Sequence, residues 1–96
     1  MAKSTFTDAY TEFRALLKNL RVEKGLSQVE VARRLAVPQS YVSKVETGER
    51  RLDFVETIAF CEAIGIDLPM FAGLFEKKKR QAKTLKRGGK GGGANG

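Results

Sequence analysis

An all-α fold of five short helices followed by a disordered basic tail is what the sequence predicts. Three observations carry that prediction. Apolar residues recur three and four positions apart along most of the first 75 residues, the period of helices with one buried face. Residues that start or stop helices bracket these stretches. From Glu76 onward glycine and lysine replace the hydrophobes, a composition that cannot bury enough apolar surface to order itself.

The elements follow in chain order. From Thr7 to Lys24 the positions Tyr10, Phe13, Leu16, Leu17 and Leu20 form one face of an amphipathic helix,. Thr7 or Asp8 can cap it, and Gly25 can end it with a left-handed turn,. Ser27 and Glu30 have the spacing of a reciprocal capping box,. The helix they open, from Gln28, buries Val31, Ala32 and Leu35. Pro38 disfavours helical geometry at the residue before it, so this second helix stops near Ala36-Val37. A third, residues 39–47, sets Tyr41, Val42 and Val45 on one side and ends at Gly48. Asp53 with Glu56 opens a fourth that carries Val55, Ile58, Cys61 and Ile64 inward and stops at Gly65. Asp67-Leu68-Pro69 begins a fifth, whose Met70, Phe71, Leu74 and Phe75 either fill the core or leave an apolar strip for a second subunit,. The second and third helices, very short and joined by a few residues, have the helix-turn-helix layout, about 27–48. The expected domain covers residues 1–76 and the tail 77–96, disordered at least past Arg87.

Composition narrows the function classes. With 96 residues, 42% of them hydrophobic, the chain can build one modest core and little more. The net charge of +7 lies wholly in the tail. The first 75 residues hold ten Lys/Arg and ten Asp/Glu, while Glu76 is the one acid among the eight basic residues that follow. No apolar run opens the chain, so neither a signal peptide nor a membrane span is expected. A single cysteine, Cys61, reads as a small core residue and precludes an internal disulfide, which fits a cytoplasmic setting,. Histidine is absent, and no nucleophile–base pair, metal-ligand spacing or phosphate-cradling glycine loop is present. An enzyme is not expected, nor a metal or cofactor.

The chemistry concentrates in PQSYVSKVETGERRLD, residues 38–53. Val42 and Val45 fasten one side of the third helix to the core. The other side offers Gln39, Ser40, Ser43, Lys44 and Thr47, every one able to hydrogen bond,. A face made only for solubility would carry Glu and Lys pairs at four-residue spacing, and small hydroxyls cost helix propensity. Reading of base edges supplies a reason for them: glutamine pairs bidentately with adenine, lysine with guanine, and serine with either.

GLSQVEVARRLAVPQSYVSKVETGERRLD resembles the helix-turn-helix core of phage-repressor and Cro-type regulators, the xenobiotic-response-element family. The likeness runs from about Phe13 to Phe71. It rests on Gly25-Leu26-Ser27-Gln28, Ala32, Val42-Ser43-Lys44, Glu46-x-Gly48-x-Arg50 and Ala63-Ile64-Gly65-Ile66. The resemblance implies a repressor-like DNA-binding domain whose third helix enters the major groove, with a homodimer spanning an inverted-repeat operator in double-stranded DNA. Carried over by position, Gln39, Ser40, Ser43 and Lys44 fall where the family reads bases. Gln28, Tyr41, Thr47, Gly48 and Arg51 fall where it grips phosphate, and Gln28 also braces Gln39. Arg21 and Glu46 match a partly buried ion pair that fixes how the recognition helix projects. Ala36 stands where the family usually has glycine, so the turn is expected to form without a free left-handed residue. Pro38 replaces the usual Ser/Thr cap, and Leu52 a common proline.

The implied function is a transcriptional repressor. An antitoxin-like protein, which neutralises a protein partner and uses DNA binding for autoregulation, is the alternative. Nonspecific nucleic-acid binding driven by the tail is a third class, told apart by competition with random DNA. Arg33 and Arg34 read as solvated helix surface. The tail reads as an auxiliary, sequence-independent DNA contact, with membrane attachment disfavoured because Leu85 is its one large hydrophobe,.

Overall fold

The computed structural model describes residues 2–95, with side chains described for residues 8–81. Its elements are α1 (Ala2–Glu23), α2 (Gln28–Leu35), α3 (Gln39–Thr47), α4 (Phe54–Ile64) and α5 (Leu68–Asn95). There is no strand among the described residues. The fold is all-α, as the apolar spacing predicts.

The helix boundaries follow from local chemistry. Ser27 accepts a hydrogen bond from the Glu30 amide at the start of α2. Glu30 does not return one to the cap; its carboxylate is taken by Arg33 and Arg34 one turn on. The box at α4 is reciprocal, with the Glu56 N–H donating to Asp53 Oδ1 at 2.7 Å and the Asp53 N–H donating to Glu56 Oε1 at 3.0 Å. Asp67 Oδ1 accepts from the Met70 amide and so starts α5. Pro38 heads α3 without a side-chain cap, and its carbonyl accepts the Tyr41 N–H.

Two turns frame α3. Gly48, at φ +89°, ends it. The turn before it differs from expectation: Ala36 itself takes the left-handed conformation, at φ 59° and ψ 45°. Its amide closes the α2 terminus on the Arg33 carbonyl, and the next amide, of Val37, bonds the Ala32 carbonyl. Those bonds offset a conformation that costs a residue with a Cβ roughly 1–2 kcal/mol.

Leu16, Leu17 and Leu20 of α1 meet Val31 and Ala32 of α2, Val42 and Val45 of α3, and Phe60, Cys61, Ala63 and Ile64 of α4 in one core. Phe71 of α5 closes it, edge-on to Phe13 with ring centroids 5.7 Å apart. Burial pushes the Cys61 thiol up to about 11, with a smaller contribution from Glu62, so it packs as a neutral group. The inward placement expected for Val55 is not found. It is 72% exposed, beside Phe54 at 66%, because Thr57, Phe60, Cys61 and Ile64 define the buried stripe of α4. Met70 is also exposed, whereas Leu74 and Phe75 are half-buried.

The helix α5 continues across position 77, where the sequence analysis places the start of the tail. Lys78 reaches Glu12 of α1 at 3.6 Å, and the Lys79 ammonium lies over the Phe75 ring. The helix is described through Asn95, past Arg87, where disorder is expected from the sequence. No single helix among the described residues is long and apolar enough to cross a membrane. One bent pair, Phe54–Ile64 with Leu68–Gln81, passes by length and composition, but its apolar residues supply much of the core.

Candidate nucleic-acid interface

The helix α3 is held by its inner side. Val42 and Val45 are fully buried, and Glu46 is buried beside them. The Arg21 guanidinium of α1 grips the Glu46 carboxylate with two hydrogen bonds, Nε to Oε2 at 2.6 Å and Nη2 to Oε1 at 3.0 Å. A third, from Nη1 to the Leu26 carbonyl at 2.7 Å, ties the pair to the loop before α2. The side chains are 10% and 2% exposed. At that burial a lone charge would be costly, and the fork-to-fork geometry is what makes the pair tolerable.

The network continues outward. Gln28 Nε2 donates to Glu46 Oε1 at 3.0 Å, and Gln28 Oε1 accepts from Gln39 Nε2 at 3.1 Å. The buried pair thus orients Gln28, and Gln28 orients the first side chain of α3. A primary amide has two N–H donors and an acceptor oxygen. Among the described residues, one N–H of each amide and the Gln39 oxygen remain for a partner outside the chain. Sequence reading paired Gln28 with Gln39 only through the family likeness, and it missed the link from Gln28 to Glu46.

Ser40, Lys44 and Thr47 are exposed along the outer side of α3, and Ser43 is half-buried. Thr47 donates its hydroxyl to the Lys44 carbonyl at 3.3 Å. Tyr41 is half-buried at the rim, with the Arg50 guanidinium 4.8 Å from its ring centroid. Arg50 also pairs with Glu56. Gln39, Ser40, Ser43, Lys44 and Thr47 therefore share one accessible surface, with Gln28 at its edge. Gly48 and Arg51 lie in the connection that follows, and Arg51 is exposed.

Two α1 residues to which the sequence reading gives no role at this site hold this connection. The Arg14 guanidinium donates to the Glu46 carbonyl at 3.0 Å and packs on Gly48 so closely that an added Cβ would lie 2.8 Å from its Nε. Tyr10 accepts the Leu52 N–H at 3.2 Å through its hydroxyl. The four-residue spacing of Tyr10 and Arg14 puts them on one side of α1; the sequence reading takes Tyr10 only as part of the apolar face and gives Arg14 no role. Arg34, expected to be solvated, is exposed yet donates to the Ala63 carbonyl at 2.8 Å and so ties α2 to α4.

A helix-turn-helix domain model matches residues 12–73. An XRE-family like protein from Pseudomonas syringae pv. tomato str. DC3000 is 39% identical, over 79% of this chain and 93% of its own, with a TM-score of 0.75. The chain belongs to the XRE helix-turn-helix family. Other XRE-like folds resemble it at lower identity. The wild-type restriction-modification controller protein C.Esp1396I is 20% identical over 73% of this chain and 92% of its own, with a TM-score of 0.69. The C.Esp1396I tetramer in complex with its natural 35 base-pair operator gives 20% identity over 74% and 93%, with a TM-score of 0.70. At that identity the likeness concerns the fold. No curated protein matches the chain significantly.

Proposed function

We propose that this XRE-family protein is a sequence-specific, double-stranded DNA-binding transcriptional regulator, a cytoplasmic repressor that occludes a promoter by laying α3 in the major groove. The observation that carries the reading is the two-sidedness of α3. Val42, Val45 and Glu46 are locked inside while Gln39, Ser40 and Lys44 stand exposed, with Gln39 pre-oriented by Gln28.

In this reading Gln39, Ser40, Ser43 and Lys44 contact base edges. The free oxygen and N–H of Gln39 match the N6 donor and N7 acceptor of adenine, and the Lys44 ammonium matches guanine O6 and N7. The spare N–H of Gln28 meets a phosphate. Tyr41, Thr47, the Gly48 amide and Arg51 grip the backbone and set register without adding sequence information. The cations from Lys77 onward add sequence-independent attraction. Removing residues after Gln81 is expected to flatten the plot of log affinity against log salt.

Phe54, Val55 and Met70 are large, apolar and exposed. Phe54 also lines an open groove of about 450 Å³, together with Phe13, Leu52, Phe71 and Phe75. Such a surface supports a homodimer, and two-fold symmetry would then be mirrored in an inverted-repeat operator. C.Esp1396I, a tetramer on its natural operator, supports oligomeric binding to DNA.

Selection of bound DNA from a random library tests the proposal. The expected product is an inverted repeat with half-site centres about one helical turn apart. Binding without any enriched sequence would overturn it.

A further inference from the structure

Arg51 does not project freely from the connection after α3. Its guanidinium carbon lies 3.9 Å from the centroid of the Tyr10 ring, within stacking and cation–π distance. The hydroxyl of the same tyrosine accepts the amide of the next residue, Leu52. Tyr10 in turn leans on Phe13, with ring centroids 5.1 Å apart, and Phe13 packs edge-on against Phe71 and Phe75. One α1 side chain therefore touches both the cation at position 51 and the backbone that carries it, and is itself wedged into an aromatic cluster.

We infer that Tyr10 is a positioning residue for DNA binding: its ring holds Arg51 against α1, ready for the phosphate it neutralises. The physical reason is entropic. A free arginine side chain has several rotatable bonds to immobilise when it meets a phosphate, whereas one already stacked keeps its planar donors in a fixed orientation. A substituent that keeps the π face keeps the effect, and one that keeps only the volume loses it. This inference rests on the DNA-binding reading above, which assigns Arg51 to phosphate.

The test uses the full chain with Arg51→Ala, Tyr10→Leu, Tyr10→Phe and the Tyr10→Leu/Arg51→Ala double variant on the selected operator. Arg51→Ala is expected to lower the slope of log affinity against log salt by about 0.9, one phosphate's worth. Tyr10→Leu is expected to weaken binding about three- to fivefold, the scale of an exposed cation–π contact, while Tyr10→Phe stays near the parent. The double variant should bind no more weakly than Arg51→Ala alone. Proton NMR of the free protein supplies an arm independent of DNA. The Arg51 side-chain resonances should be shifted by the ring current in the parent and in Tyr10→Phe, and not in Tyr10→Leu. Additive losses in the double variant, an ineffective Arg51→Ala, or a parent without the ring-current shift would overturn the inference. A parent that prefers no DNA sequence would instead overturn the reading on which it rests.

Discussion

The α2–α3 pair and the α4–α5 pair treat polarity in opposite ways. Around α2 and α3 a charged network is buried, Arg21 with Glu46, and the outer surface is polar. Around α4 and α5 the interior is largely apolar, with Phe71 packed edge to face against Phe13, and large apolar side chains are left outside at Phe54, Val55 and Met70. A buried ion pair adds little net stability over a well-packed apolar cluster. It does impose direction, because five hydrogen bonds from Arg21 outward to Gln39 permit few arrangements. The first region spends stability on orientation. The second supplies the packing and leaves a surface that a second copy can cover.

The largest expected effect breaks the first region. Glu46→Ala would leave the Arg21 guanidinium buried without its partner, at a cost of about 3–5 kcal/mol. For a domain of this size that lowers the melting temperature by more than about 10 °C. A variant that melts within a degree or two of the parent would show the pair to be dispensable. Gly48→Ala comes next. It forces a side chain into a φ of +89° and drives its Cβ against Arg14. A loss of about 1–2 kcal/mol from the left-handed backbone alone should appear in the urea midpoint, and an unmoved midpoint would rule out the strain.

The second region should respond in assembly rather than stability. Val55→Glu and Met70→Lys place charges on exposed positions, so the folding free energy should change by no more than about 0.5 kcal/mol. Sedimentation should show a dimer in the parent and monomers in both variants. Identical sedimentation of all three would leave the apolar face unconnected with self-association. Smallest of all is Ala36→Gly. Relief of the left-handed conformation is partly offset by glycine's greater freedom when unfolded, for a net gain of up to about 1 kcal/mol by chemical denaturation. A destabilised variant would contradict the strain assigned to Ala36.

Legibility in the sequence followed the range of the interactions. Two helix starts, at Asp53 with Glu56 and at Asp67, and three stops, at glycines 25, 48 and 65, were readable because caps and stops act within a few residues. The capping box at Ser27 was read one bond too far because Arg33 and Arg34 compete for the Glu30 carboxylate. Val55 was assigned inward because an eleven-residue helix offers more than one plausible apolar stripe, and packing in the shared core chose the one through Phe60, Cys61 and Ile64. The turn at Ala36 was misread because local preference argues against a left-handed alanine, whereas the docking of α2 on α3 imposes it. The outer side of α3 was legible from residue type. Its supports were not, since Tyr10 is 42 residues from Leu52 and Arg14 is 32 from Glu46, and no short-range pattern links them.

Affinity of the Lys44→Ala variant for the selected operator, set against that operator's single-base variants, tests the central claim most directly. The exposed lysine at the middle of α3 should account for discrimination at particular base pairs worth about 1–3 kcal/mol, and only those preferences should relax. An equal loss on every sequence would reduce it to a phosphate contact and contradict base reading by this helix.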